Sequence, residues 1–254
     1  MKPWIFNHFY SDSQLLRYHQ MIFYRKSCRS YTAPPDFSQW GGLSFAAERV
    51  CLPGVRIVLA HCDESFFTSP FLGIGRVTGA TRFAALIIDE EVPYSLLHSG
   101  ISAEAFVLEA LHQGVSSCWV SGTYKKKENP VKVKAHEKVV AVIALGLAEE
   151  NPLVSPVKRK GKRFSKDAKG EEHLPSLINT SEAAIEAAPS AMNRQPWKTV
   201  YEKNQYTLSS KSPLDMGIAL LHSESAFGAH PHNWTVTQHN KETFARAFFP
   251  SGLS

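Results

Sequence analysis

Two segments without charged residues place the strongest constraint on how this chain can fold. VSSCWVSG at 115–122 and VVAVIALGLA at 139–148 are typical of strands that are buried on both faces. The second is about half as long as the ~20 residues that a membrane-spanning helix needs. Both segments therefore predict the interior of a folded domain, and we expect no membrane span.

The remaining pattern predicts an α+β fold. Residues at helical spacing predict helices over 13–24, 101–112, 181–189 and 214–230, while VRIVLAH at 55–61 predicts a short strand. These elements show no regular strand–helix–strand alternation. With 254 residues, 43% hydrophobic and 20% charged, the composition is globular and excludes disorder, collagen or coiled coil as a description of the whole chain.

The net charge of +5 is concentrated in one segment. KRKGKRFSKDAK at 158–169 has seven basic residues and one acidic residue, a local charge of +6, so the rest of the chain sums to −1. This favours a local anionic partner, such as a phosphate ligand, although a solvated linker has the same composition. A nucleic-acid binder would need aromatic side chains between the cations, and Phe164 is the only one here. We therefore expect no nucleic-acid partner.

Cysteine use and the N-terminal pattern predict a cytoplasmic protein. The four cysteines form no CxxC pair, and the first residues contain no apolar run followed by a small-residue cleavage pattern. His230 and His232 could bind a metal, but Pro231 separates them and no carboxylate is near in sequence. We interpret them as a surface turn and expect no metal site. The acidic residues are scattered, so we also expect no general acid/base pair.

One candidate binding segment is RKSCRSY at 25–31, which follows the first predicted helix. Three cations and two hydroxyls within seven residues can hold a dianionic phosphate, because arginine binds it bidentately, lysine acts as a point charge and serine donates a hydrogen bond. Lysine and arginine are also common at helix C-termini because of the helix dipole. Both interpretations remain open from this segment alone.

A second candidate is the segment APSAMNRQPW at 188–197. Two prolines bound a rigid loop of small residues whose amide side chains suit the polar edge of a flat heterocycle. An ordinary helix-to-strand turn is the alternative.

Together these segments resemble motifs of the nitroreductase family of FMN-dependent oxidoreductases. RKSCRSY resembles the family's phosphate motif, and PSAMNRQPW resembles its flavin-edge motif. GVSSCWVSG at 114–122 is similar to a strand that the family places over the flavin ring, and the strand ending in ALGLAEE at 144–150 resembles a further family motif. The resemblance implies an α+β nitroreductase-like fold with a central mixed or antiparallel sheet flanked by helices.

The order of the motifs resembles a fused subfamily, in which two pseudo-symmetric halves of one chain imitate a homodimer. The flavin-edge motif follows the phosphate motif by about 160 residues, instead of shortly after it. A weak echo between the helices that begin near Gly100 and Gly217 is consistent with two related halves. This implies a first half at 1–155 and a second half at 156–254 within one compact unit, a single FMN between them, and a monomer.

The resemblance also implies roles for individual residues. Arg25 and Ser27 match phosphate ligands, Lys26 stands where many members have arginine, and the basic segment would supply a late phosphate contact. Arg29 matches a cation near the ribityl chain and pyrimidine end of the flavin, where it would favour negative charge on the reduced ring. Ser121 stands where other members have glycine or glutamate. The complete set of implied cofactor-binding residues is Arg25, Lys26, Ser27, Arg29, Trp119, Ser121, Gly122, Lys162, Arg163, Pro189, Ser190, Ala191, Met192, Asn193 and Gln195.

The function implied is two-step hydride transfer. NADH or NADPH would reduce FMN, and a small-molecule acceptor such as a nitroaromatic or a quinone would then reoxidise it. Because the cofactor carries the chemistry, no catalytic side chain is expected. Two alternatives remain open: a flavin-binding protein without turnover, and a cofactor-free scaffold that acts as an interaction module.

Overall fold

The computed structural model describes residues 2–67, 76–157, 165–168, 176–202 and 204–249. The chain divides into two compact units, which we call unit 1 (Met1–Phe23 with Lys158–Ser254) and unit 2 (Tyr24–Val157). The predicted α+β class is confirmed. The strands of the described residues form two sheets, one in each unit, whereas the sequence predicted one central sheet.

The described part of unit 2 is built on a four-stranded antiparallel sheet of order β2-β3-β5-β4. The predicted strands at 115–122 and 139–148 are confirmed as β4 and β5. The last six residues of β5, 141–146, are all buried, as expected for a segment covered on both faces. The elements of this unit are α2 (Phe37–Arg49), β2 (Val55–His61), β3 (Arg82–Asp89), α3 (Ser95–His112), β4 (Ser116–Val120) and β5 (Glu137–Gly146).

Helix α3 is the central helix of unit 2 and contacts β2, β3 and β4. Its sequence is apolar around most of its circumference, so most of its residues are buried. The helix begins at Ser95, six residues before the predicted start at 101. Glu104 is fully buried within this apolar surface, and a buried carboxylate needs partners that compensate its charge.

Helix α2 was not expected from the sequence. Asp36 caps its N-terminus, because the Asp36 side chain accepts from the Gln39 backbone N–H at 2.8 Å while the Gln39 side chain accepts from the Asp36 N–H. Gly41 and Gly42 weaken the helical pattern in the sequence. The capping box and packing against α3 and β2 compensate for these glycines.

The described part of unit 1 has a six-stranded sheet of order β1-β9-β10-β8-β7-β6. Its strand pairs are antiparallel except for the parallel pair β6–β7. Helix α5 is almost entirely buried and contacts α1, α4, β7, β8 and β10. The elements are β1 (Trp4–Phe6), α1 (Asp12–Ile22), β6 (Ser165–Ala168), α4 (Ser176–Glu186), β7 (Trp197–Glu202), β8 (Gln205–Ser210), α5 (Pro213–Phe227), β9 (Asn233–His239) and β10 (Glu242–Phe248).

The first 23 residues group with the second part of the chain, whereas the predicted halves were 1–155 and 156–254. The physical reason is long-range pairing: β1 pairs with β9, and α1 packs against α5. Local sequence patterns do not show such a pairing. Among the described residues, no helix combines the length and apolar character that crossing a membrane requires.

Candidate functional site

The predicted phosphate segment and strand β4 lie side by side in unit 2. Ser27 forms an isolated parallel bridge with Ser117, and the Cys28 N–H donates to the Ser117 carbonyl oxygen at 2.9 Å. On the other side, the Tyr31 N–H donates to the Thr78 carbonyl oxygen at 3.0 Å. The backbone of 27–31 is therefore fixed between two parts of the unit, which orients its side chains.

Two cations of this segment are accessible. Lys26 and Arg29 are exposed, and Ser27 between them is half-buried. The Lys26 ammonium lies 3.7 Å from the carboxylate of Glu150, which is itself 86% exposed. An exposed ion pair of this kind contributes little to stability, so Lys26 can exchange this partner for another anion.

Arg25 has a different environment, because its side chain is only 3% exposed. Its Nε lies 3.3 Å from Oε1 of Glu104 in α3, and the Trp119 indole N–H donates to Oε2 of the same carboxylate at 3.0 Å. Burial lowers the pKa of Arg25, while the negative charge of Glu104 opposes that shift. Glu104 thus connects two predicted cofactor-binding residues, Arg25 and Trp119. The role of Arg25 as a phosphate ligand stays a prediction.

Sequence reasoning missed Glu104. The signal that could have found it is an acidic residue within the apolar helix pattern 101–112, because an acidic group in such a position requires a buried partner.

The four cysteines of unit 2 are poor nucleophiles. Burial raises the pKa of Cys28 and of Cys118, and it raises the pKa of Cys51 and of Cys62 to about 11. The thiolate is the reactive form of cysteine, so all four thiols stay protonated near neutral pH. The described residues of unit 2 therefore offer positioned charge and hydroxyl groups, without an activated thiol.

Strand β4 ends in a segment with free space beside it. Ser121 and Gly122 are exposed, and a Cβ built at Gly122 would meet none of the described atoms within 4 Å. The described residues therefore leave the space next to this glycine free.

In unit 1, the predicted flavin-edge loop is a tight turn stabilised by its own side chains. Ser190 Oγ accepts from the Gln195 backbone N–H at 2.8 Å, and the Ser190 carbonyl oxygen accepts from the Asn193 N–H at 3.0 Å. The buried Gln195 side chain donates from Nε2 to the Glu186 carbonyl oxygen at 3.0 Å. The contacts of Ser190 and Gln195 shape the loop, and they leave Ala191, Met192 and Asn193 exposed.

The same loop concentrates backbone strain. Met192, Asn193 and Gln195 have φ values of 55°, 53° and 46°, in the left-handed region that side chains disfavour. Met192 is 83% exposed, so burial of its side chain does not explain this conformation. Strain of this kind is often found at ligand-binding segments.

The predicted site residues are thus distributed over both units. Unit 2 contains seven of them, in two distant sequence segments that meet at Ser27 and Ser117, and unit 1 contains six in one loop. Lys162 and Arg163 lie outside the described residues. The seven in unit 2 are Arg25, Lys26, Ser27, Arg29, Trp119, Ser121 and Gly122, and the six in unit 1 are Pro189, Ser190, Ala191, Met192, Asn193 and Gln195.

A comparison with models of protein families shows the family to which this chain belongs. Residues 18–227 match the sequence model of the family described as "Putative TM nitroreductase". The chain belongs to this nitroreductase family. The relationship that the motifs indicated is therefore confirmed.

One solved structure confirms that this family member has the nitroreductase-like fold. A nitroreductase-type protein from Thermotoga maritima is 20% identical and superimposes with a TM-score of 0.61 over 96% of this chain and 97% of that one. An FMN-dependent nitroreductase from Clostridium difficile is 16% identical over 52% of this chain and 88% of that one, with a TM-score of 0.42. A nitroreductase family protein from Clostridium novyi is 17% identical over 51% and 85%, with a TM-score of 0.43. Comparison with curated proteins gives no match.

Proposed function

We propose that this member of the nitroreductase family is an FMN-dependent oxidoreductase. In this proposal NADH or NADPH donates a hydride, and a small-molecule acceptor such as a nitroaromatic or a quinone receives the electrons. Family membership supports the general oxidoreductase role. The observation that carries the proposal is the bridge between Ser27 and Ser117, because it joins two motifs that the family resemblance assigns to one cofactor.

The accessible groups of unit 2 fit the phosphate of FMN. Lys26 and Arg29 supply positive charge, and the Ser27 hydroxyl can donate a hydrogen bond. Because the backbone of 27–31 is fixed at Ser117 and Thr78, the positions of Ser27 and Arg29 are pre-organised, and less backbone entropy is lost when they bind an anion.

FMN, when bound, supplies the capacity to accept and release a hydride. The side chains of this protein then have to bind, orient and adjust charge. Arg29 would place positive charge near the pyrimidine end of the ring and stabilise negative charge there. Asn193 would offer its amide to the polar edge of the ring, while Ser190 and Gln195 hold the loop in shape. The protonated thiols are consistent with a reaction that uses no cysteine nucleophile.

We also propose that the protein acts as a cytoplasmic monomer, in which the two halves of one chain replace the two chains of a homodimer. The free thiols of Cys28, Cys51, Cys62 and Cys118 suit a reducing compartment.

Flavin binding tests the phosphate assignment. A Lys26→Ala, Ser27→Ala double variant should weaken FMN binding, because each lost charge-assisted hydrogen bond costs about 1.5–3 kcal/mol. It should leave the affinity for riboflavin, which has no phosphate, close to that of the parent. Lys127→Ala changes an exposed lysine in the same unit and serves as the control. Affinities can be measured by quenching of flavin fluorescence. Equal FMN affinity in parent and double variant would disprove the phosphate assignment.

Anaerobic mixing tests the reaction. If the FMN-loaded protein is mixed with NADH or NADPH, loss of the visible flavin absorbance reports hydride transfer, and its return after addition of a quinone or nitroaromatic reports the second step. Tight FMN binding without reduction by either nucleotide would favour a non-catalytic flavin protein. Failure to bind FMN would favour the cofactor-free scaffold.

A further inference from the structure

A buried cluster of two histidines and one glutamate lies in unit 1. His8 follows β1, Glu224 lies in α5, and His232 precedes β9, so three separate parts of the unit contribute. His8 Nδ1 lies 2.7 Å from Glu224 Oε1, and His232 Nε2 lies 2.7 Å from Glu224 Oε2. The Glu224 and His232 side chains are fully buried, whereas His8 is 31% exposed. The three ligand-type atoms lie within 4.8 Å of one another.

The hydrogen bonds around His232 require a proton or a metal ion between this imidazole and Glu224. His232 Nδ1 lies 2.6 Å from the His230 carbonyl oxygen, which can only accept, so Nδ1 carries a hydrogen. If the imidazole of His232 is neutral, its lone pair is then on Nε2, and this lone pair faces Oε2 of Glu224. A carboxylate oxygen also presents only lone pairs. Two lone pairs at 2.7 Å need a positive centre between them, either a proton or a metal ion.

The surroundings favour a metal ion. Metal-binding histidines commonly donate their other ring N–H to a carbonyl or carboxylate, which is the contact that His232 makes with His230. The Trp234 indole N–H donates to Glu224 Oε2 and orients the carboxylate from the other side. Two imidazoles and one carboxylate form a ligand set known for zinc sites that keep a further position open.

We propose that His8, Glu224 and His232 form a binding site for a divalent transition-metal ion, with Zn²⁺ as the best-matched ion. The proposal does not depend on FMN or on the proposed oxidoreductase function, because the cluster contains none of the residues assigned to the flavin.

The required rearrangement is small. With metal–ligand bonds of about 2.0–2.2 Å, tetrahedral ligand atoms lie about 3.4 Å apart, so the two 2.7 Å separations must widen by roughly 0.7 Å. His8 can widen its own separation from Glu224 because it lies in the segment between β1 and α1 and is partly exposed. The separation between His232 and Glu224, whose side chains are both buried, has to widen through a shift of the carboxylate. Its exposure also provides the route by which an ion enters.

This proposal departs from the expectation that the chain has no metal site. The sequence argument paired His230 with His232 and found no carboxylate nearby. The structure assigns His230 a backbone role only, and folding brings Glu224 and His8 to His232 from distant positions.

Metal titration of the full chain tests the site. Protein freed of metal with a chelator should bind one Zn²⁺ per chain, measured by isothermal titration calorimetry, and Co²⁺ should give the visible spectrum of a four-coordinate ion. His8→Ala should lower the Zn²⁺ affinity by more than the 10- to 100-fold loss typical of an outer-shell partner. Glu224→Gln should do the same, and His230→Ala, which keeps the backbone carbonyl, should bind as the parent does. Mg²⁺, which prefers oxygen ligands, should not compete.

Two results would overturn the proposal. One is a parent protein that binds no Zn²⁺, which would identify the bridging cation as a proton. The other is a His8→Ala variant that binds as tightly as the parent, which would place the ion elsewhere. Because His8 is partly exposed, this variant should fold, and circular dichroism checks that it does. Glu224→Gln is interpreted only if it shows the spectrum of the parent.

Discussion

Breaking the buried ion pair between Arg25 and Glu104 should strongly destabilise unit 2, and Glu104→Gln removes the negative charge alone. Glutamine has nearly the same shape as glutamate and keeps an oxygen that can accept from the Trp119 indole N–H. The substitution therefore removes the negative charge next to the Arg25 guanidinium while it preserves packing and one hydrogen bond.

The size of the stability loss expected for Glu104→Gln follows from the burial of the ion pair. The Arg25 side chain is 3% exposed and that of Glu104 is not exposed, with 3.3 Å between Nε and Oε1. Removing one partner of such a pair leaves the other charge uncompensated in the interior, which costs about 3–5 kcal/mol. A domain is typically stable by only about 5–15 kcal/mol, so the variant should lose a large share of its stability.

Glu128→Gln is the matched control. Glu128 pairs with Lys125 at 3.0 Å, but the side chains are 60% and 36% exposed, so the loss should be below about 1 kcal/mol. Urea unfolding of the flavin-free protein, followed by circular dichroism, measures both losses. Hydrogen exchange of the β3 and β5 amides assigns the change to unit 2.

A double-mutant cycle completes the test. Arg25→Met combined with Glu104→Gln removes both charges and should recover most of the stability lost by Glu104→Gln alone. If Glu104→Gln unfolds within about 1 kcal/mol of the parent, the pair is effectively solvated and the reasoning from burial is refuted. If the double variant is no more stable than the single one, the loss has another origin than charge.

Three further stability predictions follow from local structure. The Arg56 guanidinium, which donates to both oxygens of Glu137, is the main cause that lowers the pKa of Glu137 from 4.5 to about 2. The stabilisation that the Arg56–Glu137 pair gives the folded state is therefore complete above pH ~4.5, and it is lost as the pH falls towards ~2. Because Arg56 is 40% exposed, we expect an effect of about 1–2 kcal/mol, measured by urea unfolding of parent and Glu137→Gln between pH 2 and 7. Met192→Gly should stabilise unit 1 by up to about 1 kcal/mol in the same assay, because glycine accepts a φ of 55° without a Cβ clash. Asp36→Ala should lower the free energy of unfolding by about 1 kcal/mol, because α2 loses its N-terminal cap. An unchanged urea midpoint for Met192→Gly or for Asp36→Ala would contradict the corresponding argument.

The sequence predicted the elements whose local pattern agrees with their final environment. The helix at 13–24 corresponds to α1, and the segments at 115–122 and 139–148 correspond to β4 and β5. It missed α2, where two glycines weaken the pattern, and it missed β9 and β10, whose pairing is decided by the neighbouring strands β1 and β8. Packing outweighs local propensity in such segments.

For the candidate site, the sequence identified motifs but not the partners that folding supplies. It placed the cationic segment 25–31 and the strand 114–122 in one site, and the structure brings them together through Ser27 and Ser117. It did not predict that Glu104 would lie between Arg25 and Trp119, because that contact depends on the tertiary position of α3.

The two units repeat one local arrangement. In each, a buried glutamate on the central helix accepts an indole N–H from a neighbouring strand: Glu104 from Trp119, and Glu224 from Trp234. The echo between Gly100 and Gly217 in the sequence would pair Glu104 with Leu221, three residues before Glu224. The contacts, rather than the glycines, are therefore the better basis for comparing the two helices.

The cations that compensate these glutamates differ, and this difference leads to a last prediction. Glu104 faces Arg25, which has no lone pair to offer a metal, whereas Glu224 faces the imidazoles of His8 and His232. Zn²⁺ should therefore stabilise unit 1 and leave unit 2 unchanged. At 100 times its Kd, a ligand that binds only the folded state adds about 2.7 kcal/mol. Hydrogen exchange with and without Zn²⁺ should show slower exchange for the β9 and β10 amides and no change for those of β3 and β5. Equal protection in both units would mean that the ion acts on the whole chain. The difference between the partners of Glu104 and of Glu224 would then not account for where Zn²⁺ binds.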